Sequence, residues 1–258
     1  MGKLFNKIFI FIGFNPSQLL SNLINIKQYI KDYALLKKQL KLNTDFSDIS
    51  LFPILHEKKQ EAAIIDPHYF HQDLWVAQKI FENKPKTHLD IGSRIDGFVS
   101  HLAVFRKVEV FDIRPLAFLH PNILFHQIDI TQLPEHWHNY AESISCLHAL
   151  EHIGLGRYGD TIDAFGYLKA IDNIYHLLKP NGICFISVPI GNQRIEFNAH
   201  RVFDFTYLSS VFKQKFTIIN FSYINDAGNF IENAVLDLDQ INQNFGCYYG
   251  CGIFCLRK

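Results

Sequence analysis

Short apolar runs alternate with amphipathic stretches along most of this chain. From Ser17 to about Lys41, Leu19, Leu23, Ile26, Ile30, Tyr33 and Leu40 fall at helical spacing, with Lys27, Lys31, Lys38 and Lys41 opposite. This pattern predicts an amphipathic basic helix. Residues 43–60 lose the periodicity and, punctuated by Asn43, Asp45, Pro53 and Glu57-Lys58-Lys59, read as a linker. Asp66 and Pro67 open a second helix to about Asn83, with Leu74, Ala77, Ile80 and Phe81 on one face and Pro85 after its end. Strands are then predicted at 89–91, 108–111, 123–129, 143–147 and 183–188. A helix over 162–178 stops where Leu178, Lys179, Pro180, Asn181 and Gly182 make a turn. Residues 216–223 and 252–256 are expected to pair as the last two strands.

Alternation of this kind predicts an α/β protein with a doubly wound, mostly parallel seven-stranded sheet and an N-terminal helical extension. The expected division is a basic arm over 1–45, a linker over 46–65 and one α/β domain over 66–258.

The strand ends carry the candidate chemistry. The first strand runs into Asp90, Gly92 and Ser93, and the second ends in Asp112, twenty residues after Gly92. A glycine turn lets backbone N–H groups approach a ligand, and a carboxylate at that distance can accept from two ribose hydroxyls. The third strand ends in Asp129, and the fourth delivers His148, Glu151 and His152. In a doubly wound sheet these ends face one crevice. His148 and His152, four residues apart, would share one side of a helical turn, with Glu151 to orient or neutralise one of them. Asp160 and the loop residue His200 are further polar groups expected to reach the crevice. A dinucleotide dehydrogenase would need a second turn glycine for the pyrophosphate, and Arg94 occupies that place.

Composition changes the picture in three ways. Lys+Arg and Asp+Glu balance at 25 each, which argues against a nucleic-acid binder. Within residues 1–42, however, seven lysines face one acid, Asp32. That asymmetry, with the apolar stretch 4–14 too short to span a bilayer, suggests peripheral membrane contact or a homo-oligomer contact through residues 1–42. Of the five cysteines, Cys247, Cys251 and Cys255 recur every fourth residue, but the paired short gaps of zinc sites are missing. They are read as strand residues, and a reducing cytoplasmic setting fits. No metal is assigned. His148, Glu151 and His152 are ligand types that suit zinc, but their placement on one short turn makes joint ligation awkward.

The order LDIGS, VFD, HQID, SCLHALEH and LLKPNGICFISVP resembles the class I S-adenosylmethionine-dependent methyltransferases over roughly residues 86–190. More narrowly, LDIGSRIDGF, HALEHIGLGRYGD and VPIGNQRIEFNAHRVF look like the bacterial family known as domain of unknown function 268. The resemblance implies a Rossmann-like methyltransferase fold and S-adenosyl-L-methionine as cofactor. Asp90, Gly92 and Ser93 would support its methionine part. Asp112 would bind the ribose, and Asp129 with Ile130 the adenine. His148, His152, Glu151 and His200 are the candidate catalytic set, since a hydroxyl acceptor needs a base of near-neutral pKa. The family pattern has two further glycines where this chain has Arg94 and Asp96, so Arg94 would either crowd the cofactor or bind an anion. A magnesium ion, used by some sugar methyltransferases, is left open. The expected activity is O-methylation of a sugar or surface-glycan-related acceptor at the inner face of a membrane, as part of polysaccharide biosynthesis. The alternatives are a non-catalytic Rossmann-like interaction module of a glycan-assembly system or, behind it, an NAD-dependent sugar-modifying enzyme.

Overall fold

The computed structural model describes residues 16–40, 49–55, 65–117 and 120–258. The chain forms two compact units, Met1–Ile65 and Asp66–Lys258. In the first, helix α1 (Pro16–Leu40) leaves Leu20, Leu23, Ile24, Ile30 and Leu35 exposed. Among the described residues no helix is long and apolar enough to cross a membrane. The apolar stretch 4–14 and most of the expected linker lie outside the described residues.

The second unit opens with helix α2 (Pro67–Asn83). Asp66 caps it by accepting the His68 N–H at 3.0 Å, Pro67 takes the first position, and Lys84 ends it in the left-handed region at φ 48°. Strands β1 (His88–Ile91), β2 (Val108–Asp112), β3 (Ile123–Gln127), β4 (Ala141–Leu147) and β5 (Leu178–Ile190) follow. A short hairpin of β6 (Arg194–Glu196) and β7 (His200–Val202) stands apart as its own sheet. The main sheet ends with β8 (Thr217–Ile224), β9 (Phe230–Ile231) and β10 (Gly250–Arg257), in the order β3-β2-β1-β4-β5-β10-β8-β9. The first five strands pair in parallel, and β10 enters antiparallel to both β5 and β8. The doubly wound sheet is therefore present, with eight strands rather than seven. The extra one, β9, has two residues, too few for an alternation to show in the sequence.

Both faces of the sheet are covered, as parallel strands require. One face packs on Ala170, Ile171, Ile174 and Leu177 of α4 (Gly166–Leu177) and on Phe205, Leu208 and Phe212 of α5 (Phe205–Lys213). The other packs on Trp75, Val76, Ala77 and Ile80 of α2 and on Leu102 of the short helix α3 (Ser100–Ala103). The phenylalanine load goes largely into this core: Phe98, Phe111, Phe185, Phe203, Phe205, Phe212, Phe221 and Phe254 are all nearly inaccessible. The helix expected over 162–178 begins only at Gly166. Asp163 turns its N–H to the Gly154 carbonyl and its carboxylate to the Phe165 N–H, so the chain before Gly166 folds as a loop.

Candidate active site

The parallel order reverses between β1 and β4, and the strand ends there open onto a cleft of about 820 Å³, counting the space open to solvent. Its lining includes Gly92, Asp112, Asp129, Ile130, His148 and His152, drawn from four different strand ends. Gly92 sits at φ +68°, where a Cβ would come within 3.0 Å of the Ala149 Cβ. Only glycine makes this turn without strain and leaves its backbone open to the cleft.

Asp90 and Ser93 do not reach the cleft. Asp90 is fully buried and accepts the Ser93 N–H (3.0 Å), the Ser93 hydroxyl (2.7 Å) and the Ser145 hydroxyl (2.5 Å). Ser93 Oγ in turn accepts the Leu147 N–H at 3.1 Å. These residues tie the β1 turn to β4 and so position Gly92 rather than touch a ligand. A side chain within β1 or just past it is held against the neighbouring strand, so the support expected of Asp90 and Ser93 runs through the Gly92 turn.

Burial pushes the Asp90 carboxyl up to about 7, against its three hydrogen bonds. When protonated it can donate to Ser145, whose hydroxyl then turns to His88 Nε2, 3.1 Å away; burial keeps His88 neutral, near 3. A pKa raised in the folded state stabilises it below the unfolded value and loses that stabilisation as pH rises through the folded value. Wild type should therefore lose roughly 4 kcal/mol of stability between about pH 4 and pH 7 relative to Asp90→Asn, at 1.36 kcal/mol per pKa unit. Denaturant midpoints of both proteins across that range check this, and parallel pH profiles would refute it.

Asp112 stands at the mouth of the cleft and is already clasped. The Arg114 N–H and Nε donate to Oδ1 at 2.8 and 3.0 Å, and Nη2 donates to Oδ2 at 2.6 Å. The Arg114 guanidinium lies 4.4 Å over the Tyr158 ring. Asp129 uses Oδ1 to cap the turn Ile130–Gln132, accepting from the Thr131 N–H and hydroxyl, both at 2.8 Å; that turn does not use its other oxygen. Ile113, Ile128, Ile130 and Ile153 give the cleft its apolar walls. Arg94 lines the cleft without filling it. The side chain is about half exposed, pairs with Asp96 at 3.2 and 3.3 Å, and lies 5.1 Å over Tyr69 at the rim.

On the far side, β4 ends in His148 at φ 49°, with its N–H shared between the Ser187 carbonyl and hydroxyl at 3.0 and 3.1 Å. Glu151, in the turn Leu150–His152, is almost fully buried between two imidazoles: His148 Nδ1 is 2.8 Å and His152 Nε2 3.6 Å from its Oε1. Burial alone would raise the Glu151 carboxyl; His148 beside it brings it below the usual range. Burial likewise opposes a charge on His148, but Cys251 and Glu151 outweigh it and raise that imidazole's pKa. His152 is lowered, chiefly by burial. Its Nδ1 lies 2.6 Å from the Ala199 carbonyl, which can only accept, so the ring proton sits on Nδ1 and Nε2 keeps its lone pair.

The sequence-assigned residues are thus partly gathered. His148 and His152 line one wall of the cleft, with Glu151 buried behind them. His200, on β7, stands behind it, its ring 6.4 Å from His152 and 3.6 Å from Glu196. Asp160 lines the cleft, but its carboxylate is spent on the N–H groups of Gly154, Gly156 and Tyr158. Tyr69, Arg114 and Tyr158 also line it and were not foreseen. The Asp-x-Arg spacing of Asp112 and Arg114 was the one available signal; Tyr69 comes from a helix preceding the first motif.

Residues 122–245 match the model of the family described as "Caenorhabditis protein of unknown function, DUF268", so the resemblance read from the sequence is borne out over that stretch. No curated protein matches the chain. Among solved structures, the fold is similar to the [4+2]-cyclase SpnF (TM-score 0.51, 14% identity, covering 76% of this chain and 85% of that one). It is also similar to the N-methyltransferase NodS from Bradyrhizobium japonicum WM9 in complex with S-adenosyl-L-homocysteine (TM-score 0.50, 15% identity, 76% and 89%). At this identity the likeness is one of fold: the chain has the Rossmann-like methyltransferase architecture.

Proposed function

We propose that this chain, which carries the DUF268 pattern over residues 122–245 on a methyltransferase fold, is an S-adenosylmethionine-dependent O-methyltransferase. The observation that carries the reading is the joint placement of Gly92, Asp112, Asp129 and His152 around one cleft at the topological switch point. The residues fit the cofactor: a glycine with no Cβ, two carboxylates for hydroxyl and amino donors, and four isoleucines for an aromatic base. Asp112 is assigned the ribose hydroxyls, Asp129 and Ile130 the adenine, and Asp90 and Ser93 hold the Gly92 turn for the methionine part.

When bound, S-adenosylmethionine would supply an electrophilic methyl group on a sulfonium, with S-adenosylhomocysteine as the leaving group. The protein's share is orientation and proton removal. His152 Nε2 takes the acceptor's hydroxyl proton, because Nδ1–H is committed to Ala199 and the low pKa leaves the ring neutral at pH 7. Glu151 then faces the imidazolium at 3.6 Å and stabilises it. His148 holds Glu151 in place, and His200 backs the wall. Tyr69 and Tyr158 at the cleft, with Arg94, Arg114 and Arg157 stacked on their rings, offer phenolic hydroxyls and guanidinium groups that suit a hydroxyl-rich acceptor such as a sugar. This supports a sugar or glycan hydroxyl as acceptor. Helix α1, with exposed leucines and Lys27, Lys31, Lys37 and Lys38, suits peripheral attachment to an anionic membrane where such acceptors are assembled.

Labelled methyl transfer from S-adenosylmethionine to a panel of sugars, nucleotide sugars and lipid-linked sugars tests the reading. Alkali-stable label on a sugar oxygen is expected. Transfer only to amines would refute the hydroxyl assignment, and no transfer by protein that binds the cofactor would refute the acceptor class.

A further inference from the structure

Beside the cleft, three elements bring together a set of side chains of which the methyl-transfer reading uses only His148, and that through its other ring nitrogen. His68 comes from the first turn of α2, His148 from the end of β4 and Cys251 from β10, and one ligand atom from each lies within 4.8 Å of the others. His148 and Cys251 are buried and His68 half-buried. The two imidazoles lie parallel, 5.5 Å between ring centres. We propose that His68, His148 and Cys251 bind a zinc-class divalent cation. The inference stands independently of the cofactor assignment.

The decisive observation is His148 Nε2, which is inaccessible to water and makes no hydrogen bond of good geometry, with the Cys251 thiol its close neighbour. Whether it carries a proton or a lone pair, a buried ring nitrogen left so costs free energy. Its other nitrogen is engaged by Glu151 at 2.8 Å. A carboxylate on one nitrogen with the other nitrogen directed at a cation is the usual outer support of a metal-bound histidine. Cys251 alone would pass as a buried thiol, since Sγ donates to Gln72 Oε1 at 3.6 Å, but a thiol proton spent there leaves His148 Nε2 facing sulfur without a well-formed bond. Gln72 Oε1 also accepts from the Ser187 hydroxyl at 2.6 Å, so it keeps a donor if Cys251 loses its proton.

The distances fit with modest closure. Tetrahedral zinc bonds of about 2.0–2.3 Å place ligand atoms roughly 3.3–3.8 Å apart, about one ångström closer than the outer separation here. A thiolate and two imidazoles favour zinc, cobalt or nickel over magnesium or calcium, which prefer oxygen. On binding, a metal–sulfur bond forms as the Cys251 proton leaves to solvent, the Nε2 proton of a charged His148 leaves with it, and the two neutral imidazoles donate lone pairs. Three protein ligands leave a fourth position of a tetrahedral ion for water or an acceptor group, next to a cleft that His148 lines. The spacing of Cys247, Cys251 and Cys255 could not reveal this, because only one of them takes part and the other ligands lie far away in sequence.

The test uses the full chain, stripped with chelator and titrated with cobalt(II) and zinc(II). One metal per chain by mass spectrometry is expected, together with a thiolate-to-cobalt charge-transfer band. Cys251→Ser should lose the band, His68→Ala should lose stoichiometric zinc at micromolar metal, and Glu151→Gln should bind zinc about 10–100-fold more weakly. Cys255→Ser, on the same strand but outside the cluster, should behave as wild type. Thermal melts confirm that each variant is folded. A cobalt spectrum without the thiolate band, wild-type stoichiometry in Cys251→Ser, or no metal on the wild type would each overturn the proposal. S-adenosylhomocysteine binding, measured separately, reports on the cofactor assignment alone.

Discussion

Replacing His152 with alanine is expected to slow methyl transfer by about two to four orders of magnitude, the usual contribution of a positioned general base. S-adenosylhomocysteine binding should stay within about twofold, because Asp112, Asp129 and the isoleucine walls are untouched. The expectation follows from the tautomer: Ala199 fixes the proton on Nδ1 and burial keeps the ring neutral, so Nε2 is a ready acceptor. Three titratable groups surround it, Glu151 at 3.6 Å, Arg157 at 3.4 Å and Tyr158 edge-on at 5.4 Å, with His148 and His200 beyond. The lowered pKa places the acid limb of the wild-type rate profile below 6.5, with loss of rate as His152 protonates. Initial rates of label incorporation from pH 5 to 9 show both effects. Full activity in the alanine variant would remove His152 as the base, and an acid limb above 6.5 would contradict its assigned state.

Asp112→Ala should weaken S-adenosylhomocysteine binding by about 10- to 100-fold, corresponding to roughly 1.5–3 kcal/mol for hydrogen bonds to a charged group. The partner variant sharpens the test. Arg114 donates to both Asp112 oxygens, so a purely structural role for the pair predicts that Arg114→Ala harms binding as much as Asp112→Ala does. If Asp112 binds ribose instead, removing Arg114 frees the carboxylate and should leave the affinity within about threefold or tighten it. Calorimetric titration of the two variants under one salt condition separates these cases. Equal losses would reassign Asp112 to holding the loop through Arg114 and Tyr158.

Much of this architecture was legible because parallel strands announce themselves. β1, β2 and β4 are short runs bounded by turn residues, and β5 contains the apolar run Ile183–Val188 although the strand itself begins at Leu178, where a turn was expected; the ends of the first three carry Gly92, Asp112 and His148 in a fixed order. What stayed hidden depends on contacts across the chain. Asp90 and Ser93 belong to the motif, yet their side chains turn to Ser145 and Leu147 of β4, which no local spacing reports. His200 sits within an Asn-His-Arg cluster that reads as a loop. The β6–β7 hairpin brings the preceding Ala199 carbonyl to His152 and leaves His200 behind the wall. Tyr69 and His68 lie on a helix that reads as scaffold, and only the packing of α2 against the sheet takes its first turn to the strand ends. Arg94 was expected either to crowd the cofactor or to bind an anion. Its local pairing with Asp96 and stacking on Tyr69 hold its half-exposed side chain along the edge of the cleft it lines.

The cofactor cleft is the claim on which the reading depends, and calorimetric titration of the full chain with S-adenosylhomocysteine tests it most directly, with NAD as control. Single-site micromolar binding of S-adenosylhomocysteine and no heat from NAD is the expected result. Folded protein that binds neither, or that binds NAD instead, would contradict it.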